Sequence, residues 1–409
     1  MSIALNDSTE IYLDHAATSP VSAAVADAMW PWLTGAAGNP ASDHLPGRRA
    51  AAAVEAARAQ VAALIGAEPR EVIWTSGATE SNNLALKGSL GFNPATRGHL
   101  LTVRTEHKSV IDSARQLERQ GHRVSWLAVD PDGLIDAQQL EQACAEQDIT
   151  LLSIMWVNNE TGVIQDIPRI VDIARRHGVT LHVDASQAAG RLAIDLQSVP
   201  VDLLSLSAHK LGGPSGIGAL FVRSAPRARV AAQMHGGGHE RGLRSGTLAV
   251  HQCVGFGIAC QRVIDDGLQH QAGIALLRDR LWSGINDLPE VYLNGHATQR
   301  AAAFLNVSFG RTEGESLLAD LRFGEPAIAV SSGSACTSAS SDPSYVLRAL
   351  GRDDALARAS IRFSLGAATS EAQIDQVTAR VRQVVTRLRD MSPLWSASPA
   401  AASKSRAVA

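Results

Sequence analysis

From residue 71 to residue 222 the chain repeats one unit: a short apolar run of strand length, a polar or glycine-containing turn, and a segment with helical spacing of its apolar residues. Glu71-Val72-Ile73-Trp74-Thr75 leads through Ser76-Gly77 into a helix predicted over 78–87. The order recurs with strands predicted at 100–103, 123–127, 150–156 and 179–183, helices at 108–120, 137–146 and 166–177, and further strands at 201–206 and 218–222. Strands separated by helices cannot pair as tight hairpins, so the pattern predicts a mostly parallel sheet with helices on its faces. Ligands of such sheets collect beyond the carboxyl ends of the strands. Functional residues are therefore expected near Ser76, Asn158, Asp184 and Ser207.

Outside this core, alanine-rich helical patterns cover 23–32 and 47–65, with Gly66 as a stop, and 248–289 reads as largely helical. Strands predicted at 303–309, 327–330 and 361–364, with helices at 313–320, 343–350 and 371–389, describe a second, smaller α/β unit. A chain of 409 residues exceeds what one compact core usually serves. The expected division is a large domain over 16–264 and a small one built from 1–15 and 265–409, ending in a Ser/Ala-rich tail read as mobile.

Composition removes several function classes. With 37 basic and 40 acidic side chains the formal charge is -3, which gives no long-range pull toward nucleic acid or anionic lipid. The beginning of the chain lacks a basic segment followed by an apolar run, and no apolar stretch of about 20 residues occurs, so a cytoplasmic location is the expectation. Four cysteines without a CxxC pair argue against a disulfide scaffold and a zinc knuckle, and no metal site is expected. Cys253 and Cys260, seven apart in a helical stretch, read as buried small apolar residues. Cys336 is different, because Ser331-Ser332-Gly333-Ser334-Ala335-Cys336-Thr337-Ser338-Ala339-Ser340 is too polar and small-residued to be a core strand.

A second constellation surrounds Lys210. Asp202-Leu203-Leu204-Ser205-Leu206-Ser207-Ala208-His209-Lys210 passes from an apolar strand into a polar turn, and His182-Val183-Asp184 ends another strand. In isolation Lys210 reads equally as a surface charge, Asp184 as a turn cap, and Ser76-Gly77-Ala78-Thr79-Glu80 as an ordinary helix start. Taken together they suit a pyridine cofactor lying across the sheet edge: Asp184 at its ring nitrogen, the helix start with Gly77, Ala78 and Thr79 at a phosphate, and Ser207 and His209 as further donors.

The ordered motifs carry a resemblance. Tyr12-Leu13-Asp14-His15-Ala16-Ala17-Thr18, Gly38-Asn39-Pro40, Thr75 through Asn83, Thr105-Glu106-His107, Val157-Asn158-Asn159-Glu160, His182-Val183-Asp184, Ser207-Ala208-His209-Lys210, Gly236 through Thr247 and the Cys336 segment together resemble the cysteine desulfurases of the iron-sulfur-assembly and nitrogen-fixation type. These are fold-type I enzymes of the class V aminotransferase family, which use pyridoxal 5'-phosphate. The resemblance implies that Lys210 forms the covalent link to the cofactor, Asp184 pairs with its ring nitrogen, His107 stacks on the ring and assists deprotonation, and Gln187 contacts the phenolic oxygen. It further implies phosphate contacts from Thr79, Ser207 and His209, with Thr247 contributed by the neighbouring subunit of a homodimer. Arg362 is expected to bind the substrate carboxylate, aided by Asn159 and the Asn39 neighbourhood.

The implied reaction converts L-cysteine to L-alanine, with Cys336 as the nucleophile that becomes a persulfide and passes sulfur to a protein acceptor such as an iron-sulfur scaffold or a thiolation protein. A mobile small-residue loop would let one sulfur visit the cofactor and then carry its cargo outward. Stable nucleic-acid or membrane binding is not expected. Selenocysteine cleavage, another class V aminotransferase or lyase reaction, and a non-catalytic sulfur carrier are the competing readings. Three departures stand out: His239 occupies a place where the resembled enzymes usually carry Gln, and Leu365-Gly366-Ala367-Ala368-Thr369 lacks a basic residue common after the glycine, both bearing on the site mouth or interface, while the residues after Trp395 lack the acidic and aromatic scaffold-docking tail.

Overall fold

The computed structural model describes residues 10–93, 95, 97–146, 148–224, 228–332, 342–392 and 395. Cys336 and the Ser/Ala-rich tail lie outside the described residues.

A short strand, β1 (Glu10–Tyr12), precedes the main sheet. That sheet contains β2 (Val72–Thr75), β3 (His99–Val103), β4 (Arg123–Leu127), β5 (Leu151–Met155), β6 (Thr180–Asp184), β7 (Leu203–Ser207) and β8 (Gly218–Val222), in the spatial order β2-β8-β7-β6-β5-β3-β4. Strands β3 to β7 pair in parallel, and β8 runs antiparallel to both of its neighbours, β7 and β2. The predicted parallel sheet is thus present, with one reversed strand. Val201 and Asp202, predicted to open a strand, instead precede β7; the Asp202 carboxylate accepts a hydrogen bond from Leu181 N–H at 2.8 Å.

Every residue of β5 and β7 is buried, which explains their nearly unbroken apolar runs. Two polar exceptions, Ser153 and Ser205, are satisfied by a histidine of the strand between them. His182 on β6 meets Ser153 Oγ at 2.8 Å through Nδ1 and Ser205 Oγ at 2.9 Å through Nε2. Burial pushes the His182 pKa down to about 4, against the opposing pull of Asp184, so the ring is neutral at neutral pH.

Helices Leu45–Leu64 and Val250–Asp266 pack against each other. The predicted helical stretch 248–289 is in fact two helices, Val250–Asp266 and Gln269–Ser283, broken at Gly267, whose φ of 62° belongs to the left-handed region.

Beyond these helices come β9 (Val291–Leu293), β10 (Phe304–Phe309), β11 (Ala327–Ala329), β12 (Ser331–Ser332) and β13 (Ser360–Ser364). Strands β12-β13-β10-β9 form an antiparallel sheet, while β1 pairs in parallel with β11. An isolated parallel bridge joins Asp14 to Ser364, so the segment following β1 threads between the second sheet and the carboxyl edge of the first. One large apolar cluster runs through both regions.

Candidate active site

The carboxyl ends of β2, β5, β6 and β7 converge on a cleft of about 460 Å³. Close backbone approach makes this convergence possible. At Gly218, which faces Thr75 and Ser207, an added Cβ would stand 2.5 Å from Leu206 O and 2.6 Å from Gly77 Cα. Only glycine lets the Gly77 turn and the end of β7 come so near.

After β7 the chain enters a single turn, Ala208–Lys210, that projects the lysine into the cleft. Its Nζ donates to Ala16 O and Ala17 O, each at 2.6 Å. His209, beside it, approaches Thr18 Oγ1 at 3.2 Å through Nδ1, and burial together with the Lys210 charge pushes its pKa down to about 4. A neutral imidazole there can offer an N–H but no net charge.

Asp184 ends β6 in a cage of donors. Ser186 supplies its backbone N–H at 2.9 Å and its hydroxyl at 2.5 Å to Oδ1, while Asn82 Nδ2 donates to Oδ2 at 2.7 Å. Three donors thus converge on this one side chain. The same Asn82 amide group also donates to Ser109 Oγ at 2.8 Å, and Ser109 Oγ lies 2.8 Å from His107 Nδ1. His107 caps the helix Lys108–Arg119, its Nδ1 accepting the Ser109 backbone N–H at 3.2 Å. With Nδ1 an acceptor, the proton of the neutral ring resides on Nε2.

The helix Ala78–Leu90 begins at Gly77 with no side-chain cap and with an N-cap φ of 148°. An added Cβ on Gly77 would meet nothing within 4 Å among the described residues, and the amino end of the helix lines the cleft. Thr79 lines the same end. Oriented N–H groups and the helix dipole make this an anion-binding position.

Arg362, only 1% exposed on β13, faces the cleft from the second sheet. One terminal nitrogen donates to Asn159 O at 2.8 Å and the other to Asp14 Oδ1 at 2.7 Å; its Nε has no partner among the described residues. Gln187 donates through Nε2 to Ala16 O at 2.9 Å, leaving Oε1 buried and without a partner among the described residues.

The cleft thus brings together eleven of the expected residues: Gly77, Ala78, Thr79, His107, Asn159, Asp184, Gln187, Ser207, His209, Lys210 and Arg362. Asn39 and Thr247 are exposed and do not line it in this chain; the Asn39 side chain accepts the Ala41 N–H at 2.9 Å. Several polar residues around the cleft were given no role from the sequence: Asn82, Asp14 and Glu106, which lie within the motifs, and Ser109 and Ser186. Glu106 is fully buried, accepts Met155 N–H at 2.6 Å through Oε1, and is pushed well above the usual carboxyl range by burial and the Asp184 charge. An asparagine inside a helix, where its propensity is poor, was the available signal for Asn82.

The family model for class-V aminotransferases matches residues 11–377. The chain belongs to the class-V aminotransferase family, within its cysteine desulfurases. A curated cysteine desulfurase IscS of Methylobacillus flagellatus is 54% identical over 389 residues, covering 95% of this chain and 95% of the relative. The solved structure of a NifS-like protein superimposes with a TM-score of 0.85 at 31% identity, covering 92% of this chain and 100% of its own. SspA, solved in complex with cysteine, gives a TM-score of 0.77 at 36% identity over 87% of this chain and 98% of its own. Membership of this class-V family implies pyridoxal 5'-phosphate, and the cleft suits that group. The uncapped helix end fits a phosphate, the caged Asp184 carboxylate fits a pyridinium nitrogen, and the buried Gln187 amide retains an unmet oxygen beside Lys210.

Proposed function

We propose that this protein is a cysteine desulfurase that converts L-cysteine to L-alanine and delivers the sulfur to an acceptor. The carrying observation is that the Lys210 amine, the caged Asp184 carboxylate and the buried Arg362 guanidinium line one cleft. Pyridoxal 5'-phosphate, when bound, supplies an electron sink for charge released at the substrate carbon.

Lys210 would hold the cofactor aldehyde, and its amine would serve to move protons near the substrate α-carbon. Asp184 would hold a proton on the ring nitrogen, and Gln187 would support the phenolic oxygen. The phosphate is held by Gly77, Ala78, Thr79, Ser207 and His209, with Thr247 of a neighbouring subunit completing the cup. His107 covers the ring and, through Nε2, exchanges protons with a thiol. Arg362 binds the substrate carboxylate with help from Asn159 and the Asn39 region; its unmet Nε supports this role.

Cys336 attacks the substrate sulfur: an S–S bond forms to Cys336 as the substrate C–S bond breaks, and the carbon fragment takes up a proton and leaves as L-alanine. The resulting persulfide passes its terminal sulfur to an iron-sulfur scaffold or thiolation protein. The proposed assembly is a cytoplasmic homodimer, each chain divided into a cofactor-binding domain over 16–264 and a second domain from 1–15 and 265–409. The separation of the two main sheets supports that division.

Anaerobic incubation with pyridoxal 5'-phosphate and L-cysteine, followed by amino-acid analysis and peptide mass measurement, tests the reading. Alanine should form and one additional sulfur should appear on Cys336. Cys336→Ser should retain the cofactor and lose both products, whereas continued turnover would favour selenocysteine cleavage or another lyase reaction.

A further inference from the structure

A negative charge stands beside the helix end assigned to phosphate. Glu80 lies in the first turn of Ala78–Leu90 and lines the cleft. Its Oε2 accepts the Ser76 N–H at 2.7 Å, which fixes the turn leading into Gly77. The arrangement shapes the turn without placing a side chain across the helix axis. It also puts a carboxylate where an incoming anion would be repelled. Independent of the helix end, Gln187 is 5% exposed, lines the same cleft, and carries an oxygen without a partner among the described residues, so the cleft is built to receive a polar ligand.

Arg244 resolves the electrostatic conflict. Its Nε donates to Glu80 Oε1 at 2.9 Å and a terminal nitrogen reaches Glu80 Oε2 at 3.4 Å, with both side chains 18% exposed. Burial works against the Glu80 charge, but the hydrogen bonds from Arg244 and Ser76 outweigh it and hold the carboxyl below its usual pKa. Arg244 is itself positioned by the fold. Its backbone bridges to Met234, and Glu240, four residues earlier, is pinned by Arg58 and by Trp74 N–H.

We propose that Arg244 is a positioning residue for phosphate selectivity: by neutralising Glu80 it lets that carboxylate shape the Gly77 turn without repelling the cofactor's phosphate. The inference rests on the cofactor reading above and concerns how the site favours pyridoxal 5'-phosphate over unphosphorylated pyridoxal.

The test is an absorbance titration of cofactor-depleted full-length protein with each compound in turn. Arg244→Gln should weaken pyridoxal 5'-phosphate binding on the order of tenfold, while pyridoxal binding changes by less than about twofold. The double variant Glu80→Gln/Arg244→Gln should recover most of the phosphate-dependent affinity, because the amide oxygen introduced by Glu80→Gln can still accept the Ser76 N–H. Equal weakening toward both compounds, or a double variant no better than Arg244→Gln, would overturn the proposal. If Arg244→Gln does not fold, Glu80→Gln alone decides: unchanged or tighter phosphate binding supports the proposal, and clear weakening defeats it. Failure of the wild-type protein to bind either compound would sink the cofactor reading and this inference with it, whereas the variant outcomes bear on the inference alone.

Discussion

Arg362 carries its charge in a nearly solvent-free position, and Asp14 already holds one of its terminal nitrogens. In its proposed role the guanidinium would be shared between a substrate carboxylate and Asp14, which also accepts the Ser331 hydroxyl at 2.7 Å. A planar fork can serve two carboxylates through different edges, whereas a lysine ammonium cannot reproduce the geometry. Arg362→Lys should raise KM for L-cysteine by about tenfold or more, with a smaller change in kcat, in steady-state alanine assays. An unchanged KM would remove Arg362 from substrate binding. The residues legible in the sequence were those whose place follows from a strand end or the following turn, such as Asp184 and Lys210. Two that received no role act across large separations: Asn82 reaches Asp184 over 102 positions, and Asp14 reaches Arg362 over 348. Local spacing contains no trace of such pairings.

At the scale of elements, the Gly-rich segment is anchored by an ion pair buried on both sides. Arg58 and Glu240, each with a 4% exposed side chain, meet at 2.7 Å, and Trp74 N–H donates to the same carboxylate at 2.8 Å. Glu240 and Arg241 accept left-handed φ values of 50° and 57°, a backbone that these residues rarely adopt without surrounding support. Removing Glu240 takes away the buried partner and leaves Arg58 the more exposed Glu55, 3.0 Å away. Because Glu55 still compensates Arg58, Glu240→Ala is expected to cost no more than about 3 kcal/mol, the low end for a broken buried pair, read as a lower urea midpoint; a loss below about 1 kcal/mol would mean that the pair is not what holds the segment. Strand and helix alternation was readable because periodicity reports burial. The reversal of β8 was not, because an apolar strand buried on both faces carries no mark of its direction. The three-residue strands β1 and β9 offered too little sequence for a periodic signal.

For the whole molecule, three histidines titrate together. His15, His182 and His209 are each pushed down to about 4, in every case chiefly by burial. In the unfolded chain these rings titrate near 6.5. Between about 6.5 and about 4 the unfolded chain therefore takes up protons that the folded one refuses, and stability falls as pH falls through that window. Above about 6.5 this contribution is fully present. Thermal melts of the cofactor-free protein should show Tm declining from pH 7 toward pH 4.5, and His182→Gln should flatten the decline; a flat wild-type profile would contradict neutral burial of these rings. No helix of the described residues is long and apolar enough to cross a membrane. The proposed grouping of the first residues with the second domain gains support from β1, which aligns Glu10 with Ala327 and Tyr12 with Ala329. That pairing orders events on the ribosome. At about 5–20 residues per second, roughly a quarter of a minute to a minute of translation separates the two strands, so Asp14 waits until Arg362 has been made, and a nascent product cut short of that residue cannot assemble the proposed carboxylate-binding side of the cleft.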